Sequence, residues 1–113
     1  MIRRGDIWWA DLPPARGSEP GFRHPVLIVS SDDFNRSGIH TVLCVMLSSN
    51  ERLAGAPGNV ALTRRETKLP KPSAANVSQL VTLDKRFLGS RVARMPRDPL
   101  REIESGLRLV LDL

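Results

Sequence analysis

The chain has no tyrosine, one cysteine, two histidines and three phenylalanines. Each scarcity closes a class of explanation. A single thiol, Cys44, cannot form an internal disulfide or build a multi-cysteine metal site, and its place in the apolar run TVLCVML marks it as core. His24 and His40 stand 16 positions apart with no cysteine or patterned carboxylates around them. That spacing suits neither zinc nor calcium, so no metal and no other cofactor is expected. No apolar run approaches the ~20 residues that span a bilayer, and MIRRGDIWW lacks the apolar segment and cleavage site of a signal peptide. A cytoplasmic protein with no membrane partner is the expectation. Nor is there a glycine-rich phosphate loop opening a helix, a G-x-S-x-G elbow or a dinucleotide fingerprint. Nucleotide-triphosphate and acyl-transfer enzymes recede.

Net acidity is missing as well: 17 Lys and Arg face 12 Asp and Glu, a formal charge of +5. The basic stretches TRRETKLPKP and DKRFLGSRVARMPRD hold many of the cations, most of them arginine, whose planar fork suits phosphate. Either a polyanionic partner or a merely soluble basic surface accounts for this. At 113 residues the length fits one domain, 1–113, with one sizeable core.

DIWWADLP alternates with period two and stops at Pro13-Pro14, predicting a strand with Trp8 and Trp9 on opposite faces. One tryptophan is then core and the other lies at a groove or interface. ARGSEPGFRH reads as a long mobile loop, and PVLIVSS, led by Pro25, as a strand buried on both faces. HTVLCVMLSSN is the longest strand, NVALT a short one, and RRETKLPKPS a basic loop. AANVSQLVTL gives another strand whose alternation is less clean, DKRFLG a helical turn closed by Gly89, and SRVARM a last strand. Phe34 and Phe87, beside turns, read as local core. From Asp98 as N-cap and Pro99 as first helical residue, Leu100, Ile103, Leu107, Val110 and Leu111 recur on one stripe, weakened at Gly106. The prediction is a mainly β (α+β) fold: a small, strongly curved antiparallel sheet or partly open barrel with a C-terminal α-helix.

Polar groups interrupt the ends of otherwise apolar strands: Arg23 and His24 before one, Ser48 and Ser49 after another, and Asn76, Ser78 and Gln79 within a third. They either converge on one rim, with Ser18 and Glu19 above it, or are polar because strand ends are wet. Convergence would suit RNA cleavage without metal. The 2′-OH attacks its own phosphate, so a site needs a proton acceptor, charge at the phosphorane and a donor for the leaving 5′ oxygen. Arginine, serine and a near-neutral imidazole cover those needs. Phe22 is the aromatic best placed to stack on a base.

RRGDIWWADLPPARGSEPG and HPVLIVSSDDFNRSG, then SSN closing an apolar strand, NVSQLVTLDKRFLGSRV and LREIESGLRLVLDL, together resemble the MazF/PemK toxins of type II toxin-antitoxin systems along essentially the whole chain. The resemblance implies an SH3-like, partly open barrel of the CcdB/MazF type and a homodimer. It also implies an mRNA interferase, cutting single-stranded RNA (mRNA, tRNA or rRNA) at a short sequence without metal, and a cognate MazE-like antitoxin. The family places an Arg directly before the PVLV-type strand and a Ser or Thr at the end of the third strand. Ser48 matches the second; at the first this chain has His24, with Arg23 one residue earlier. Ser18 and Glu19 match the family's GSE loop and Gln79 a polar position of its fifth-strand segment, all toward RNA, while Val81 replaces a common Arg. Regular strand alternation would set Arg23 and His24 on opposite faces, so a bend before Pro25 is expected if both serve one site. Two rivals stay open: a CcdB-like inhibitor of DNA gyrase that cleaves nothing, and a basic module that holds RNA without cutting it.

Overall fold

The period-two stretch at the N-terminus forms β1, Asp6–Leu12, and β-branched or aliphatic runs form the strands that follow. The computed structural model describes residues 1–12 and 22–113. Among them, β2 is Phe22–Ile28, β3 Thr41–Ser48, β4 Val60–Leu62, β5 Ser73–Asp84 and β6 Leu88–Arg94. Helices are α1, Asp32–Arg36; α2, Arg64–Thr67; and α3, Arg97–Leu111. The strands make one antiparallel sheet in the order β4-β5-β3-β2-β1-β6, and α2, which follows one edge strand, lies against β6 at the other edge. The sheet therefore curls into a partly open barrel.

Both faces of the curl carry core, because alternate residues of each strand point to opposite sides. Ile7, Leu27, Val45 and Leu47 face α3, where Ile103 is fully buried with Leu100 and Leu107 beside it. Ala10, Val26, Ile28, Cys44 and Met46 build the second cluster on the other side. Trp9 packs against the first cluster and Trp8 against the second, as their alternation requires. Phe34 and Phe87 are half-buried and belong to neither cluster.

Strand β5 shows why its alternation looked untidy. Its register with β3 jumps between Val45↔Leu80 and Met46↔Asn76, so Val77, Ser78 and Gln79 bulge out. Up to the first bulge residue, odd residues (Ala75, Val77) face α3, and after the bulge the even Leu80 does, with Val81 and Leu83 turned to the second cluster. Asn59 fastens the bulge, donating to Asn76 Oδ1 and accepting from Val77 N at 2.9 Å.

Several boundaries differ from the sequence expectation. Strand β2 begins at Phe22 rather than Pro25, so Phe22, Arg23 and His24 are strand residues paired with Leu12, Asp11 and Ala10 of β1. Gly89 does not close a turn but lies inside β6, where an added Cβ would sit 3.1 Å from Asp11 Oδ2. RRETKLPKPS is not all loop: Thr63 and Glu66 form a capping box that starts α2. Helix α3 starts one residue before Asp98, which falls in its first turn and is not the N-cap. Val110 and Leu111, on the expected apolar stripe, are 44% and 47% exposed.

Gly106 acquires a reason. Its Cβ would lie 1.9 Å from the Gly58 carbonyl oxygen, so glycine is what lets α3 seat against the turn at Gly58, itself at φ +82°. Helix α3 is further tied by Arg4, whose guanidinium meets Glu104 at 2.6 Å while its backbone N–H donates to Asp32.

Candidate active site

Proline has no N–H to give a ladder, and Pro25 marks where two strands part. It still lies opposite Trp9 of β1, but the pairing of β2 with β3 stops at Val26↔Met46. Beyond that point the ends of β2 and β3 leave a cavity of about 290 Å³ between them, lined by Arg23, His24 and Pro25 from one side and Leu47 and Ser49 from the other. Trp9 lines it too, as do Leu69, Pro70, Lys71 and Ser73 from the segment joining α2 to β5.

Arg23 is positioned by two neighbouring strands. Its guanidinium carbon lies 4.7 Å from the centroid of the Trp9 ring, and Nη2 donates to Ser90 Oγ of β6 at 2.9 Å. Stacking and a hydrogen bond hold the plane while the charge stays exposed. His24 occupies the alternate face, as strand geometry demands. It nonetheless lines the same cavity, because the strands separate there, and no bend before Pro25 is needed. Burial pushes its imidazole below the ordinary value of 6.5, partly offset by the Leu47 backbone carbonyl, which attracts a ring N–H. The shift favours the neutral ring.

Continuing the Val26↔Met46 register by two residues sets Ser48 on the His24 face and Ser49 on the Arg23 face. Ser48 is half-buried, paired with Ala74, and its Oγ accepts from Asn50 N at 3.1 Å; it does not line the cavity, whereas Ser49 does. Phe22 is 54% exposed and meets the His24 ring edge to face, centroids 5.8 Å apart. Gln79 is not brought to this cavity: it sits on the β5 bulge, its Oε1 accepting from Asn76 Nδ2 at 2.9 Å. Ser18 and Glu19 lie outside the described residues.

Lys71 is the charged cavity residue that the sequence did not single out. The basic character of its segment was visible, but spacing carries no sign that the chain between β4 and β5 returns over the end of β2. Cys44 is fully buried, its thiol pushed up to about 12 by burial, and so takes no part in chemistry. Among the described residues no group of three or more His, Cys, Asp or Glu is placed to hold a metal ion. No helix among them is long and apolar enough to cross a membrane.

The curled antiparallel sheet with its terminal helix is an SH3-like half-barrel with a cavity at a strand parting, lined by Arg23, His24 and Lys71 among others. Residues 3–111 match the family described as PemK-like, MazF-like toxin of type II toxin-antitoxin system, and the chain belongs to that family. It is 46% identical over 113 residues to endoribonuclease MazF2 of Mycobacterium bovis and to endoribonuclease MazF6 of Mycobacterium tuberculosis, covering 100% of this chain and 99% of each relative. It is also similar to a solved endoribonuclease from mycobacterial species in complex with its cognate antitoxin. That likeness has a TM-score of 0.81 at 26% identity, over 100% of this chain and 97% of the other. A MazE-MazF complex from Deinococcus radiodurans shares the fold, with a TM-score of 0.82 at 23% identity over 99% and 96% of the two chains.

Proposed function

We propose that this toxin is an endoribonuclease that cuts single-stranded RNA at a short recognition sequence, without a metal ion, leaving a 2′,3′-cyclic phosphate and a 5′-OH. The observation that carries the reading is the opening of Arg23 and His24 onto one cavity from opposite faces of β2. A neutral His24, one nitrogen turned toward the Leu47 carbonyl, has its other nitrogen free to accept the 2′-OH proton. The 2′ oxygen forms its bond to phosphorus, the P–O5′ bond breaks, and the 5′ oxygen takes a proton from solvent at the open cavity. Arg23 and Lys71 oppose the charge of the phosphorane from the cavity wall, and Ser48, outside that lining on the His24 face, is the third catalytic group of this reading, its hydroxyl donating to a phosphate oxygen at the cavity mouth.

Ser49 sits with Arg23 as a contact to the sugar-phosphate, and Phe22 offers a face for a base. Ser18, Glu19 and Gln79 are the further RNA contacts of this reading. Its partners are a second copy of the chain, as a homodimer within which residues 1–113 act as one domain, and a MazE-like antitoxin; its place of action is the cytoplasm. The relatives named as endoribonucleases support the substrate class, and the solved complex with a cognate antitoxin supports the partner.

Incubation of the purified protein with a long RNA in EDTA, followed by mapping of the ends, tests this directly. Discrete cuts at a recurring sequence with 5′-OH ends are expected. Intact RNA sinks the proposal; intact RNA together with inhibited DNA gyrase would establish a CcdB-like activity in its place.

A further inference from the structure

Beside the candidate active site, and sharing Leu69 and Ser73 as walls with it, lies a larger cleft of about 860 Å³ between the short strand β4 and α2. Arg64, Arg65 and Lys68 line it. All three are exposed, and none makes an ion pair among the described residues. The acid in their own segment, Glu66, is turned away, its Oε1 accepting from Thr63 N and Oγ1 at the cap of α2. Glu51 is the remaining acid on the lining, so the cleft keeps a surplus of positive charge.

A second observation is independent of charge. Lys68 closes α2 in the left-handed conformation, φ 63° and ψ 16°, which favours glycine and costs a lysine energy. A long cation is thus held where the backbone would relax with no side chain at all, and such outliers gather at functional positions. From Lys71 at the first cavity to Lys68, Arg64 and Arg65 at the second, the cations run along one continuous wall. That track fits the phosphates of a strand longer than the cavity holds.

We propose that the cleft between β4 and α2 is a second RNA-backbone subsite, in which Arg64, Arg65 and Lys68 hold phosphates flanking the segment bound at Arg23 and His24. The inference rests on the ribonuclease reading above. It assigns the basic segment to substrate length, with no part in the chemistry.

The test uses uncleavable 2′-O-methyl oligonucleotides, a 5-mer and a 16-mer around a mapped cut, with binding measured by fluorescence anisotropy across a salt series. Lys68→Gly should keep or raise the melting temperature, since it removes the strained side chain, and still weaken the 16-mer several-fold. The combined Arg64→Ala, Arg65→Ala, Lys68→Gly variant should lose about 2 from the log–log salt slope for the 16-mer, near 0.7 for each of three phosphate contacts, and leave the 5-mer unchanged. An unchanged 16-mer overturns the proposal and leaves an acidic polypeptide as the fitting occupant. Equal loss on both lengths also overturns it, by placing the cations at the first cavity. Wild-type protein that binds neither oligonucleotide defeats the ribonuclease reading itself.

Discussion

The guanidinium carbon of Arg23 stands 4.7 Å from the centroid of the Trp9 ring, so the cation at the parting of β2 and β3 is fixed by a residue of β1. The orientation follows from the sheet, since Trp9 lies opposite Pro25 and Arg23 is the next residue of β2 on the same face. Arg23→Ala should lower the cleavage rate by about 10²- to 10³-fold, the scale of losing one preorganised donor at a developing oxyanion. Arg23→Lys should recover little of it, because an ammonium cannot both stack and fork. Trp9→Leu keeps the charge and loses the stacking, about 0.5–1 kcal/mol at an exposed site, so a two- to five-fold loss is expected. Single-turnover rates on one defined RNA check all three.

In the proposed mechanism His24, as the base, sets the pH dependence. Its folded value lies below 6.5, so the native protein takes up its proton less readily than the unfolded chain. Its contribution to stability is therefore full above pH 6.5 and lost as the pH falls below that value. For cleavage the same shift predicts an acid limb with its midpoint below 6.5, and His24→Ala should abolish that limb along with about 10²-fold or more of the rate. NMR titration of the His24 ring gives the folded value; a value above 6.5, or full activity in His24→Ala, would remove it as the base.

Gly106 separates helix propensity from packing. On propensity alone Gly106→Ala would stabilise α3 by about 1 kcal/mol. A methyl group there would meet the Gly58 carbonyl oxygen at 1.9 Å, and overpacking costs about 1–3 kcal/mol. The variant should melt at a lower temperature, whereas Ala at exposed Leu109, in the same helix, should change little. Thermal melts of the two variants decide it.

Cys44 should be inert in the native state. The thiol is fully buried and pushed up to about 12, so thiolate is scarce at neutral pH. Iodoacetamide should modify it only as fast as the protein opens, and at once in denaturant; mass spectrometry over time reads both rates.

The two-faced strands, the terminal helix and the buried thiol were legible because each rests on local periodicity or on a run of apolar residues. The bulge at Val77 to Gln79 was visible only as spoiled alternation, since its register is set by the partner strand β3. The T-x-x-E cap of α2 stood in the sequence, yet the proline-rich basic composition around it pointed to a loop. At the site, Arg23, His24 and Ser49 were singled out and meet at one cavity, while Ser48 lies outside its lining and Gln79 on the bulge. Lys71 was missed because its approach depends on a chain return that no spacing encodes. The conflict between strand alternation and a shared site for Arg23 and His24 dissolves once β2 and β3 separate at Pro25.

The central claim is that the RNA's own 2′-OH is the nucleophile, with His24 as its base and Arg23 beside the phosphate. It is tested most directly by placing a single 2′-deoxynucleotide immediately 5′ of a mapped scissile phosphate in an otherwise unchanged RNA. Loss of that cut alone, with cuts elsewhere in the strand retained, is the predicted result; cleavage continuing at the deoxy position would contradict it.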